Sequence, residues 1–317
     1  MNAPRYPLLL QVNTRVLLTD LSGVPGRSAT LDDIPDTRLD EWRAAGWDWI
    51  WLLSVWTTGE TGRRISQTHP EWQPEFKQTL PDLTAADIGG SGFAIADYAV
   101  SPDLGGPNAL ARFRERLSTK GMKLMLDFVP NHMGPDHPWV AEHPEYFVAG
   151  AESDPVSSPK RYFRTSPEQG DRVLAFGRDP YFDSWPDTVQ LDYSQPATGR
   201  AMQEVLMSIA GMCDGVRCDM AMLILPEVFE RTWGRRALPF WPHAIAAVRA
   251  AYPEFRFILM QTAGCGLFHG QPDRLLHVGG DARPKSVPIF SANDLIEGDT
   301  AIGKGDLIGF GQGTIWS

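Results

Sequence analysis

The chain has 317 residues, 43% of them hydrophobic and 10% aromatic, enough for one large α/β domain with an insertion and a sizeable core. Its formal charge of −10 argues against a nucleic-acid or anionic-membrane partner. No run approaches the roughly 18 apolar residues of a membrane span. The stretch Met1 to Leu10 lacks the charged region and long apolar core of an export signal. The three cysteines, Cys213, Cys218 and Cys265, fit no metal spacing, and the odd count favours reduced thiols and a cytoplasmic location.

Leu8 to Asn13 reads as a first strand. Thr30 is placed to cap a helix running from Leu31 through Ala45 to Gly46, with Asp32 and Asp33 suited to its first turn. Trp47 to Val55 gives a second apolar strand. The polar stretch from Trp56 to Ser91 is too long for an ordinary βα connection and reads either as one wall of a site or as a packed surface loop. A helix over Asn108–Lys120 leads into the strand-like run Lys123–Val129, which exits into Pro130-Asn131-His132-Met133-Gly134. From Gly134 to about Gln190 the periodicity vanishes in a segment rich in proline, aspartate, serine and aromatics. A helix over Pro196–Ala210, a strand over Gly215–Met220, helical stretches Glu227–Arg235 and His243–Ala251, and a strand over Phe255–Met260 follow. Strands alternating with helices of this length indicate βα units and a parallel sheet.

Two of these strands carry charge where an apolar strand should not. In Gly215-Val216-Arg217-Cys218-Asp219-Met220, Arg217 and Asp219 are two positions apart and share a face. Burying both is costly unless they pair or do chemistry, so the run alone reads equally well as a structural ion pair. Asp127 lies within the Lys123–Val129 strand, and Asn131 and His132 sit just past its C-terminal end, where open sheets and barrels alike build their sites. Asp127-x-x-x-Asn131-His132 followed by Gly215-x-Arg217-x-Asp219, each on a strand, resembles the α-amylase family, glycoside hydrolase family 13. Gly46-x-x-x-x-Trp51-Leu52, Gly92-Phe93-Ala94-Ile95-Ala96-Asp97-Tyr98 and Gln190-Leu191-Asp192-Tyr193 are similar to further segments of that family.

The resemblance implies a (β/α)8 barrel with an irregular domain inserted after its third strand. On that reading residues 1–133 form the first part of the barrel, 134–190 the insertion, 191–262 the continuation, and 263–317 a glycine-rich tail. An eight-fold barrel takes about 250 residues before insertions, so the barrel is expected to be incomplete within this sequence. The tail also differs in texture: 11 of its 55 residues are glycine, against 19 in the 262 before it.

The implied activity is cleavage or transfer of α-linked glucosides with retention, which needs two carboxyl groups about 5 Å apart. By motif position Asp219 is the nucleophile, and Arg217 keeps it ionised and oriented. Asp127 and His132 shape the site and hydrogen-bond the sugar, and Phe93 stacks under it, standing where the family usually has tyrosine. Asn131 is where many members supply an oxygen ligand to a structural calcium; no other cofactor is implied. The abundant tryptophans suit either sugar stacking or the core.

Three departures qualify this. The acid/base glutamate is expected at the end of the fifth strand, where the chain reads Met260-Gln261-Thr262, with no carboxyl group. Met222 and Leu223 stand where many starch-cleaving members carry Lys-His. The match stops near residue 260. Two alternatives therefore stand beside the enzyme: a glucan-binding remnant without its acid, and a barrel using Asp127, His132 and Asp219 as metal ligands.

Overall fold

The computed structural model describes residues 7–23 and 27–259. Met260, Gln261, Thr262 and the glycine-rich stretch 263–317, with Cys265, lie outside the described residues.

Five parallel strands form the central sheet in strict chain order: Leu9–Asn13, Trp49–Leu53, Lys123–Phe128, Gly215–Cys218 and Arg256–Leu259, referred to below as the first to fifth strands. Each is separated from the next by at least one helix. The alternating order is that of a (β/α) barrel, but among the described residues the sheet is open and no closed barrel forms.

Strand side chains alternate between two packing environments. Ile50, Leu52, Leu124, Leu126 and Val216 face the helices in the main core, whereas Trp49, Trp51, Met125 and Ile258 form a separate inner cluster. Register stacks this inner face in layers. Trp51 lies opposite Met125, Met125 opposite Gly215, and one step further along Asp127 lies opposite Arg217 and Arg217 opposite Ile258. The charged layer therefore sits directly above an apolar one, at the C-terminal edge. Gly215 is required in the lower layer, because a Cβ there would lie 2.7 Å from the Arg256 carbonyl and 3.1 Å from the Trp49 ring.

The expected helix over Leu31–Gly46 divides in two. Thr30 and Asp33 close a capping box around a single 3-10 turn, Leu31–Asp33, and Pro35 then forces Ile34 into extended backbone before a new helix, Asp36–Ala44. That helix and its approach are registered on the helix Gly106–Thr119 by three rungs of charge. Arg112 meets Asp32 at 2.6 Å and Arg116 meets Asp36 at 2.8 Å, and Lys120 pairs with Asp40. A helix the sequence did not announce, Thr14–Ser22, starts where Asn13 ends the first strand and caps the Val16 N–H with its side chain.

The polar stretch after the second strand is ordered rather than a plain loop. Trp56–Thr58 pairs with Ile95–Val100, and helices Glu60–Thr68 and Gln73–Thr79 lie between them. The first of these helices buries only Gly62 and Ser66, so its period is carried by small residues and leaves no apolar stripe to read. Residues 134–190, between the third and fourth strands, contain short helical turns and small antiparallel ladders: His132–Met133 with Val189–Gln190, and Tyr162–Arg164 with Val173–Ala175.

Candidate active site

Asp127 is 1% exposed and enclosed by donors. The Trp51 indole N–H donates to its Oδ1 at 3.2 Å, and the Ser54 backbone N–H donates to Oδ2 at 3.4 Å. Ser54 holds a left-handed φ of 66°, an uncommon conformation for a residue with a side chain, at the end of the second strand. Gly92 packs directly on it, since a Cβ at Gly92 would coincide with the Ser54 hydroxyl at 1.6 Å. The Trp56 indole donates to the Asp127 carbonyl at 2.8 Å. Burial pushes the Asp127 carboxyl up to about 7; Arg217 opposes the shift and the charge of Asp219 adds to it.

Arg217 is the centre of the charged layer. Its Nη1 hydrogen-bonds Asp219 Oδ1 and lies 3.9 Å from Asp127 Oδ1. Its guanidinium is 5.2 Å from the Trp51 ring centre and 4.9 Å from that of Phe93, a cation held between two aromatic rings. Its Nε is buried without a hydrogen-bond partner among the described residues. Phe93 thus gives one face to Arg217.

Asp219 lies one residue beyond the fourth strand rather than within it, although its N–H still donates to the Phe128 carbonyl at 2.8 Å and extends the pairing. It is 6% exposed. Met220 then turns through a left-handed φ of 49° and, with Met222 and Leu223, forms a small apolar cluster against which Trp185 packs. Met222 and Leu223 are thus apolar wall.

His132 is buried, 5.3 Å from the Trp185 ring, with Nδ1 facing the Asn131 amide at 3.3 Å. Burial lowers its pKa to about 4, against the charge of Asp219 and a hydrogen bond to the Phe93 backbone, so the imidazole is neutral near pH 7. Asn131 and Gln190 interlock. Asn131 donates to Gln190 Oε1 at 3.2 Å, while Gln190 Nε2 donates to the Asn131 backbone carbonyl at 2.9 Å and to its Oδ1 at 3.0 Å. Both Asn131 oxygens are therefore engaged, and no group of three or more His, Cys, Asp or Glu side chains suited to a metal occurs among the described residues. None of the chemistry below passes through a metal.

The structure thus brings together Asp127, Arg217, Asp219, Phe93, His132 and, one layer out, Asn131. Sequence reasoning missed Trp51 and Ser54 as partners of Asp127, and Trp185 and Gln190 as the groups that hold His132 and Asn131. Trp51 was open to discovery, because it lies on the inner face one layer below Asp127. Ser54 was not, since its part is played by backbone.

The fold is similar to the crystal structure of an α-amylase from Lactobacillus plantarum, with a TM-score of 0.54 at 23% identity over 82% of this chain and 46% of that one. Residues 38–232 match the family model for the α-amylase catalytic domain, and the chain belongs to the α-amylase family. An α-1,4-glucan:maltose-1-phosphate maltosyltransferase from Salinibacter ruber is 33% identical over 147 residues, 42% of this chain and 20% of the relative. The enzyme of the same name from Pseudomonas aeruginosa is 25% identical over 244 residues, 75% of this chain and 30% of the relative. The chain therefore spans less than a third of the length of these two relatives. No helix among the described residues is long and apolar enough to cross a membrane.

Proposed function

We propose that this chain carries the nucleophile half of an α-amylase-family site acting on α-linked glucosides by retaining double displacement, with Asp219 as the nucleophile. The observation that supports this most is the placement of Asp219: a nearly buried carboxylate at the C-terminal edge of the sheet, fixed through Oδ1 by a ring-clamped arginine. An immobilised carboxylate beside a neutral imidazole suits attack on an anomeric carbon. One Asp219 oxygen forms a bond to that carbon as the glycosidic C–O bond breaks, and the electron pair leaves on the departing oxygen, which needs a proton. Asp127 is unsuited to supply it, since its oxygens are enclosed by Trp51, Ser54 and Arg217. Its part is to hold Arg217 against Asp219. His132 presents a neutral hydrogen-bonding ring to the sugar.

The chain has no carboxyl group at Gln261 or Thr262, where the acid/base is expected. General acid assistance contributes about 10²–10⁴-fold, so natural glucosides should turn over poorly and the chain should act mainly as a glucan binder. A substrate whose leaving group needs no proton separates the two halves of the chemistry. α-Glucosyl fluoride should be hydrolysed measurably, maltose negligibly, and the fluoride activity should vanish in Asp219→Ala. Robust maltose turnover would show another proton donor; fluoride turnover that survives in Asp219→Ala would remove Asp219 from the role.

A further inference from the structure

Outside the charged layer, the feature most in need of a reason is a pair of arginines that no carboxylate claims. Arg15 lies in the helix Thr14–Ser22, directly after the first strand, and Arg63 in the helix Glu60–Thr68. Both meet at the turn Gly89–Gly90. Arg15 Nη1 donates to the Gly89 carbonyl at 3.3 Å and to the Gly90 carbonyl at 3.0 Å, and its Nη2 donates to the Thr58 hydroxyl at 2.9 Å. All three acceptors are neutral. Arg63 has no side-chain hydrogen bond or ion pair among the described residues, and its Nε is buried without a partner.

Carboxylates are not scarce in this chain, which has 39 acidic residues against 29 Lys and Arg. Other arginines find them: Arg114 meets Asp214 at 2.7 Å and Arg235 meets Asp192 at 2.7 Å. Bringing two guanidinium groups together without an acceptor costs free energy twice, through like charge and through an unsatisfied buried N–H. Arg15 registers the strain: burial lowers its pKa, the charge of Asp103 opposes the shift, and the charge of Arg63 adds to it. The turn is built for this approach. A Cβ on Gly89 would lie 3.1 Å from Arg15 Nη1, and one on Gly90 would lie 2.9 Å from the Arg63 Cα. Gly90 also holds a left-handed φ of 78°. The place is at the functional edge of the sheet, since Arg15 stands two residues past the C-terminal end of the first strand.

We propose that Arg15 and Arg63 bind a small oxyanion, phosphate or the phosphoryl group of an ester, beside the Gly89–Gly90 turn. Arg15 spends three N–H donors on the protein, which fixes its plane and leaves the rest for a ligand. Arg63 supplies a whole unspent fork. Guanidinium forks match oxyanion oxygens two at a time. A phosphate, at close to two negative charges near pH 7, balances both cations, where one carboxylate would leave a charge over. Neither arginine is part of the Asp219 chemistry, so the site stands or falls apart from the function proposed above.

Calorimetry of the full chain at about 0.15 M salt, where long-range attraction is screened, tests this with inorganic phosphate and methyl phosphate. Inorganic phosphate should bind at one site. Arg63→Gln should weaken it about tenfold or more, the scale of hydrogen bonds to a charged group. The exposed neighbour Arg64 is the control, and Arg64→Gln should keep the affinity within about twofold. In thermal melting without phosphate Arg63→Gln should match the parent, and it should lose the rise in melting temperature that phosphate gives the parent. Methyl phosphate bound as tightly as inorganic phosphate supports the site and assigns it to the phosphoryl group of an ester. Binding of inorganic phosphate alone supports it and assigns it to the free ion. No phosphate binding by the parent, or unchanged affinity in Arg63→Gln, overturns the proposal. Equal losses in Arg63→Gln and Arg64→Gln also overturn it, by showing diffuse attraction to a basic surface.

Discussion

The third and fourth strands and the 134–190 segment contribute to one site by opposite means. In the strands, position follows from register: Asp127 and Arg217 meet because parallel pairing sets them opposite each other and alternation turns both inward. In the segment, position follows from side-chain locks such as Asn131 with Gln190, and from the packing of Trp185 on His132. A register is fixed by many backbone hydrogen bonds at once, so single substitutions there expose electrostatic costs. A lock is a few bonds, so single substitutions there loosen geometry. The two regions should therefore fail differently.

The largest effect should follow Arg217→Ala. It leaves Asp219 and Asp127 buried without their cation, and breaking a buried pair in this way costs about 3–5 kcal/mol. Urea denaturation measures it. Arg217→Lys should recover little, since an ammonium cannot fill the flat space between Trp51 and Phe93. A loss below about 1 kcal/mol, as for a surface pair, would mean that the charged layer is open to solvent and register alone does not bury it.

Asp127→Asn should change the pH dependence. The Asp127 carboxyl is raised from 3.8 to about 7 in the folded chain, so the native state holds the proton more tightly than the unfolded state. Its contribution to stability is full below about pH 4 and is lost as pH rises through 7. Relative to the parent, the asparagine variant should gain a few kcal/mol between those limits. His132→Gln should give the opposite slope, because the His132 pKa is lowered from 6.5 to about 4 and its neutral form belongs to the fold. Its contribution is lost as pH falls from about 6.5 to 4. Parallel slopes for the two variants would contradict their placement in one buried site.

Gln190→Ala tests the lock. It leaves Asn131 with unpaired polar atoms and should cost about 1–3 kcal/mol, with faster amide exchange confined to 131–133 and 189–191. Exchange that rises equally in the third strand would erase the distinction between the regions. The smallest effect should come from Arg112→Ala, whose pair with Asp32 is exposed and screened by solvent, so that urea denaturation should barely separate the variant from the parent.

The same distinction explains what was legible in the sequence. The five strands could be read from their apolar runs, and Arg217 with Asp219 from two charges sharing a face of one of them, whereas Asp127 was joined to that pair by the resemblance of both motifs to the α-amylase family. The break at Pro35 was written in the sequence but overruled by the run of helix formers around it. The helix Glu60–Thr68 hid because its buried positions are glycine and serine. Trp185 and Gln190 could be seen as an aromatic and a motif residue, but their partners lie in the short ladder closed by His132–Met133 with Val189–Gln190, and no local pattern announces a pairing that long-range. Ser54 could not be found at all, because its backbone makes the bond to Asp127.

The central claim is that Asp219 is the group that bonds to sugar. Incubation of the chain with a 5-fluoro-α-glucosyl fluoride, which forms a glycosyl-enzyme and hydrolyses it slowly, followed by peptide mass spectrometry, tests it directly. The account predicts one added glycosyl group on the peptide containing Asp219 and none in Asp219→Ala. Label on another carboxylate, or fluoride release without any label at Asp219, would contradict it.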